Sequence, residues 1–251
     1  MSDALLRIER LNAGYGEMPV LRDVSIDIRP AEIVALVGSN GAGKTTLLRA
    51  LSRLIPSRGD VSFDGRSLAG ATADEVFGLG LVQVPEGRQL FDQMSVEENL
   101  QMGAYKRRDK TAIQDDLDRV YRLFPALADR RRQLAGSLSG GEQQMCAMAR
   151  ALMARPRLVM VDEMSLGLAP MTVDLLLETM TQIRSQGVTV LLVEQDVHAA
   201  LSVADHGYVM ETGEIVREGT AGELESDPEV QRAYLGEIAS TSTVPPSGSS
   251  R

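Results

Sequence analysis

The segment Gly38-Ser39-Asn40-Gly41-Ala42-Gly43-Lys44-Thr45 concentrates the chemistry of this sequence. Its glycines let the backbone turn successive N–H groups toward one point, and a helix starting there adds its positive end, so the segment is suited to hold phosphate as a P-loop. Lys44 supplies a mobile positive charge for the outer phosphates, and the Thr45 hydroxyl is a hard oxygen of the kind Mg2+ prefers. A metal resting on phosphates also needs a carboxylate to hold its waters. Leu158-Val159-Met160-Val161-Asp162-Glu163 delivers Asp162 at the C-terminal end of an apolar strand, where ligands sit in open α/β sheets. Glu163, one residue further and pointing differently, is placed to polarise an attacking water as a general base. Leu138-Ser139-Gly140-Gly141-Glu142-Gln143-Gln144 puts a hydroxyl and two glycines at a helix start. By physics alone it is either an ordinary capped helix or a second anion-binding cap.

These residues need elements to position them. Ile33 to Val37 is a continuous apolar run ending at Gly38, which predicts a central parallel strand, and Leu47, Leu48, Leu51 and Leu54 predict the helix that follows. Leu158 to Val161 and Val188 to Val193 repeat the strand signature, each leading into a helix, from Pro170 and from Asp196. The pattern predicts an α/β fold with a mostly parallel sheet wrapped by helices. Leu5 to Leu11 and Val20 to Ile28 alternate in period two across Gly14-Tyr15-Gly16 and predict an antiparallel pair joined by that turn. From Gly87 to about Arg155 the character is helical, with a capping box at Ser95-Val96-Glu97-Glu98. The expected organisation is a discontinuous core of 1–86 and 151–236, a helical subdomain of 87–150, and a disordered tail of 237–251 around Pro245-Pro246.

Composition narrows the class. The 251 residues carry 26 Lys and Arg against 35 Asp and Glu, a balance of −9 that argues against attraction to nucleic acid or an anionic membrane face. A single cysteine, Cys146 among apolar neighbours, forbids an internal disulfide and reads as a small buried hydrophobe; with only two histidines, a zinc site is not expected. No run approaches the ~20 apolar residues of a membrane span. The start Met1 to Leu5 lacks a basic region and a long apolar run, so a cytoplasmic protein is expected. Met145, Met148 and Met153, at near-helical spacing, read as core filler.

With Leu138 to Gln144 lying between the P-loop and Asp162-Glu163, the three segments resemble the ATP-binding cassette (ABC) ATPases, whose signature is L-S-G-G-E-Q, and the likeness spans nearly all of residues 4–236. It implies a P-loop NTPase cassette with a mostly parallel core sheet, an N-terminal antiparallel β subdomain and an inserted helical subdomain. It further implies a head-to-tail dimer that sandwiches two ATP molecules, the P-loop of one subunit facing the signature loop of the other. Ser139 and Gly141 would contact the γ-phosphate of the partner's nucleotide, with Gly140 and Glu142 completing the loop. Tyr15 is the aromatic expected to stack on adenine; its alternative is to pack on the hairpin. Thr46 extends the nucleotide-binding set, Thr45, Asp162 and Glu86 form the Mg2+ set, and Lys44, Glu163 and the γ-phosphate sensor Gln195 form the catalytic set.

A narrower likeness lies in Val84-Pro85-Glu86-Gly87-Arg88, Leu90-Phe91, Met94 to Leu100, Ser165 to Pro170, Val193-Glu194-Gln195 and Asp227 to Gly236, which resemble the ATPases of branched-chain amino-acid importers, the shorter of their two. The implied partners are two integral-membrane permease subunits, a second, paralogous ATPase or a second copy of this chain, and indirectly an extracytoplasmic solute-binding protein, with no nucleic acid. The implied location is cytoplasmic, peripheral on the inner face of the cell membrane. Rival readings are an importer ATPase for another solute such as urea or amides, a soluble ABC ATPase on nucleic acid or the ribosome, a small-molecule kinase and a binding-only subunit. Glu86 stands where most ABC ATPases have Gln, and Gln83, inside the preceding strand, is not taken as that residue. Gln195 replaces the usual His and cannot titrate near neutral pH, Met164 replaces Pro, and Ala169 replaces Asp. His198, one turn after Gln195, is either a substitute switch or, the common case, a surface histidine. The basic runs Tyr105-Lys106-Arg107-Arg108 and Arg130-Arg131-Arg132 read as solvated faces, the alternative being the border of a groove for a permease loop.

Overall fold

The computed structural model describes residues 4–235. The expected tail 237–251 and Gly236 lie outside the described residues, as do the first three. Within them, β1 (Leu6–Tyr15), β2 (Met18–Ile28), β4 (Ser57–Phe63) and β5 (Arg66–Ser67) form an antiparallel sheet of order β2-β1-β4-β5. A six-stranded sheet has the order β10-β9-β3-β8-β7-β6, from β3 (Ile33–Val37), β6 (Leu81–Val84), β7 (Leu158–Asp162), β8 (Thr189–Glu194), β9 (His206–Glu211) and β10 (Glu214–Thr220). All its pairings are parallel except the edge hairpin β9-β10.

Strand alternation divides the apolar interior in two. Val34, Leu36, Leu158, Met160, Leu191 and Val193 pack in one core with the antiparallel sheet and the helix α1 (Lys44–Leu51). Their neighbours Ala35, Val37, Val159, Val161, Val190 and Leu192 pack in the other. A strand buried on both faces shows no polar alternation, which is why these segments read as unbroken apolar runs. The same period sets the functional ends: Asp162 continues the Leu158, Met160 face toward α1, and Glu194 continues the Val190, Leu192 face.

The hairpin differs in detail from the expected Gly14-Tyr15-Gly16 turn. Tyr15 is the last residue of β1 and pairs with Met18, leaving Gly16 and Glu17 as a two-residue turn. Gly16 takes φ 58°, the left-handed geometry such tight hairpins require.

Between β6 and β7 the chain is helical, with α3 (Val96–Gly103), α4 (Lys110–Leu123), α5 (Pro125–Ala128) and α6 (Gly140–Leu152); α2 (Ala73–Gly78) precedes β6. The expected capping box is present: the Ser95 side chain accepts from the Glu98 N–H, and Glu98 accepts from the Ser95 N–H. Asn99, fully buried, accepts from the Phe91 N–H and donates to the Phe91 carbonyl, pinning the approach to α3. Met145, Cys146, Met148 and Met153 join the same apolar cluster as Val159 and Val161, so the helices share a core with the sheet. Burial pushes the Cys146 thiol up to about 12, which leaves it an unreactive hydrophobe.

The basic runs do more than face solvent. Tyr105 packs on Phe77 and donates to Asp74, Lys106 pairs with Asp74, and Arg107 donates to Asp116 and to the Met153 carbonyl. Arg130 pairs with Glu142, and Arg131 lies 4.0 Å over the Tyr121 ring. Much of their charge is spent joining α2, α4 and α6, contacts that local charge density cannot reveal.

Candidate nucleotide site

The glycine-rich segment leaves β3 at Gly38 and enters α1 at Lys44. A side chain at Gly38 would sit 2.2 Å from the Met210 carbonyl, so the loop can pass β9 this closely only with glycine. Helix α1 opens with no side-chain cap and no acid in its first turn, unlike α2, α3 and α6, whose starts are closed by capping boxes. Its first N–H groups are thus left for an anion. The Lys44 ammonium, 4% exposed, donates to the carbonyls of Gly38 (2.8 Å) and Ser39 (3.2 Å) and pairs with Glu163 Oε1 at 3.2 Å. Tyr15 brings its hydroxyl to α1, 3.5 Å from Thr46 Oγ1 and accepting from Arg49 at 3.1 Å, with its ring partly exposed.

Asp162, 1% exposed, accepts from the Thr45 hydroxyl at 3.3 Å through Oδ1. Its Oδ2 is buried with no partner among the described residues. Burial, reinforced by Glu163 and Glu86, raises this carboxyl to about 6 against the pull of Thr45 and Lys44. A buried acid with an orphan oxygen beside a threonine hydroxyl suits a divalent cation, so the residues present fit Mg2+. Glu86 joins Thr45 and Asp162 on the wall of a cavity of about 570 Å3. The cavity adjoins the P-loop and is not coincident with it, since neither Lys44 nor Tyr15 lines it. Gln83 also lines it, but its amide oxygen is taken by the Ser52 hydroxyl at 2.8 Å. Glu163 holds φ 45°, which costs a non-glycine residue roughly 1–2 kcal/mol, and its N–H donates to the Val193 carbonyl at 2.9 Å.

Of the remaining expected residues, Ser139 and Glu142 cap α6 reciprocally: the Ser139 hydroxyl and N–H both donate to Glu142 Oε2, at 2.8 and 2.9 Å. Hydrogen bonds from Ser139, with Arg130 nearby, hold the Glu142 carboxyl below its ordinary value. Among the described residues no hydrogen bond joins Ser139, Gly140, Gly141 or Glu142 to the P-loop. Gln195 is exposed beyond β8. His198 is exposed, with Nδ1 3.6 Å from Glu225 Oε1, the surface-histidine geometry.

A sequence profile of the ABC transporter family matches residues 21–165, more than half of the chain. The chain belongs to the ABC transporter family. Its place there is the ATPase cassette. It is 44% identical over 233 residues to BraG of Pseudomonas aeruginosa, a high-affinity branched-chain amino acid transport ATP-binding protein, covering 92% of this chain and all of the relative. It is 36% identical to LivF of Archaeoglobus fulgidus, a probable branched-chain amino acid transport ATP-binding protein, covering 92% and 99%. The structure of the ADP conformation of MJ1267, an ATP-binding cassette of an ABC transporter, superposes with a TM-score of 0.81 at 26% identity, covering 94% of this chain and all of that one.

The fold of this ABC cassette brings residues to the signature loop that sequence reasoning passed over. Arg88 donates to Gln143 at 3.0 Å, and its Nη2 would lie 3.1 Å from a side chain at Gly140. Arg150 holds the carbonyls of Arg88 and Gln89 at 3.1 and 2.7 Å, steadying left-handed backbone at both. Thr172, in the first turn of α7 (Pro170–Ser185), would meet a side chain at Gly141 at 2.8 Å. Gly141 is therefore needed for packing within the subunit. Gly141→Ala is expected to destabilise the cassette by about 1–3 kcal/mol, with roughly half recovered on adding Thr172→Ala, as measured by urea unfolding. Equal stability of the single and double variants would remove the close approach as the cause. Ala169 caps α7 without a side-chain bond, and Met164 is buried, so both departures are structurally accommodated.

Proposed function

We propose that this cassette powers uptake of branched-chain amino acids, working at the inner face of the cell membrane on two permease subunits together with a second cassette, with an extracytoplasmic binding protein supplying the solute. What supports the reading is the end-to-end likeness to BraG, which extends past the shared ATPase motifs at both ends. The described residues include no helix long and apolar enough to cross a membrane, so attachment through permease contacts is the simplest arrangement.

In this reading the P-loop amides and Lys44 hold the phosphates of ATP, Tyr15 stacks on its base, and Ser139, Gly140 and Gly141 serve the nucleotide of the partner cassette. Thr45 and Asp162, with Glu86 across the cavity, hold Mg2+, which when bound neutralises phosphate charge. Glu163 accepts the proton of the attacking water, and Gln195 donates an amide N–H to the terminal phosphate. An ammonium has three protons, and Lys44 spends them on Gly38, Ser39 and Glu163. Turning Lys44 to a phosphate therefore frees the Glu163 carboxylate, which links arrival of ATP to exposure of the base. Positioning and charge stabilisation carry the rest of the catalysis.

The test is uptake of radiolabelled leucine, isoleucine and valine in cells lacking the gene. Loss of uptake, restored by the wild-type gene and not by one carrying Glu163→Gln, is the expected result. Undiminished uptake of all three, with urea or amide uptake lost instead, would overturn the assignment of substrate.

A further inference from the structure

Glu194 is a buried carboxylate that the mechanism above leaves without a task. It is 2% exposed at the end of β8, on the face carried by Val190 and Leu192, where a third apolar residue would continue the pattern at lower cost. Burial raises its carboxyl above the ordinary value, against the pull of its hydrogen bonds from Ser165 and Gln195. Both its oxygens accept hydrogen bonds. Oε1 accepts the Ser165 N–H at 3.0 Å, and Oε2 accepts the Ser165 hydroxyl at 2.8 Å and the Gln195 N–H at 3.3 Å.

We propose that Glu194 is a positioning residue that clips the loop bearing Glu163 to the backbone of Gln195. This rests on the reading of Glu163 as the general base. Glu163 needs such a clip, because among the described residues its left-handed backbone is otherwise held only by its N–H to the Val193 carbonyl and by the Lys44 pair. Ser165 is two residues beyond it. The same loop then runs to Pro170 and α7, where Thr172 closes on Gly141 of the signature loop. One carboxylate thus fixes the end of β8, the catalytic loop and, through α7, the approach to Gly141. In Glu194→Gln an amide N–H replaces one acceptor, so either the Gln195 N–H or the Ser165 N–H faces a donor and the clip opens.

The test uses the full chain assembled with its transporter partners for turnover, and the full chain alone for amide exchange. Glu194→Gln is expected to lower kcat by about tenfold or more while KM for MgATP stays within about twofold, because the base is misplaced and the phosphate site is intact. Amide exchange across residues 163–169 should quicken. Ser165→Ala, which removes only a hydroxyl, should shift kcat in the same direction by less, and the double variant should match Glu194→Gln alone, as residues sharing one contact do. If Glu194→Gln does not fold, kcat and exchange in Ser165→Ala decide. Wild-type kcat and exchange in these variants beside an inactive Glu163→Gln would overturn the proposal. A lowered melting temperature with kcat and KM unchanged would reduce Glu194 to a structural residue and overturn it equally. Wild-type turnover by Glu163→Gln would instead sink the general-base reading, and this proposal with it.

Discussion

Glu163→Gln is expected to bind ATP within about threefold of the wild type and to turn it over about 10²–10⁴ times more slowly. The amide has the shape of the carboxylate and can still accept from Lys44, which now sits 3.2 Å from Oε1, so the P-loop and its lysine stay in place. What the amide cannot do is take a proton from water. Single-turnover hydrolysis paired with a nucleotide-binding titration separates the two effects. A variant hydrolysing at the wild-type rate with its transporter partners present would remove Glu163 as the base.

Lys44→Ala should damage binding itself. Removing the ammonium takes a charged donor from between the Gly38 and Ser39 carbonyls and the Glu163 carboxylate, all within 3.2 Å of it. A charge-assisted hydrogen bond contributes about 1.5–3 kcal/mol, so ATP affinity is expected to fall roughly 10- to 100-fold, with turnover lost beyond that. Lys44→Arg should not rescue it, because the bulkier planar guanidinium does not fit a site that leaves lysine 4% exposed. Equilibrium binding of a fluorescent ATP analogue to both variants checks this, and near-normal affinity for Lys44→Ala would show that the loop amides suffice.

The P-loop, the strand-end Asp162 and the capped start at Ser139 were legible because each is written over a few consecutive residues. Gly38 to Thr45 lie between an apolar run and a helical repeat, and the structure places them there, from the end of β3 into the first turn of α1. Asp162 meets Thr45 although 117 positions apart, and that contact was foreseeable because β3 and β7 run parallel, so the helix start after one and the end of the other lie at the same edge of the sheet. The Gly14-Tyr15-Gly16 turn was off by about a residue, because alternation locates strands better than it locates the two residues that reverse them.

The pairing of β1 with β4 and the β9-β10 hairpin went unread, since their alternation is short and an edge strand with one solvated face carries little apolar signal. Nor could spacing show that Glu194 holds Ser165, that Arg88 reaches Gln143, or that Thr172 closes on Gly141. The sequence by itself determined the chemistry: which atoms can face phosphate, which carboxylate ends a buried strand, and which family the motifs resemble. Only the tertiary structure decided how the loops around that chemistry are held. Local patterns follow the 3.6- and 2-residue periods of helix and strand, whereas a buried carboxylate finds its donors wherever the sheet order brings them, and that order is a property of the whole chain.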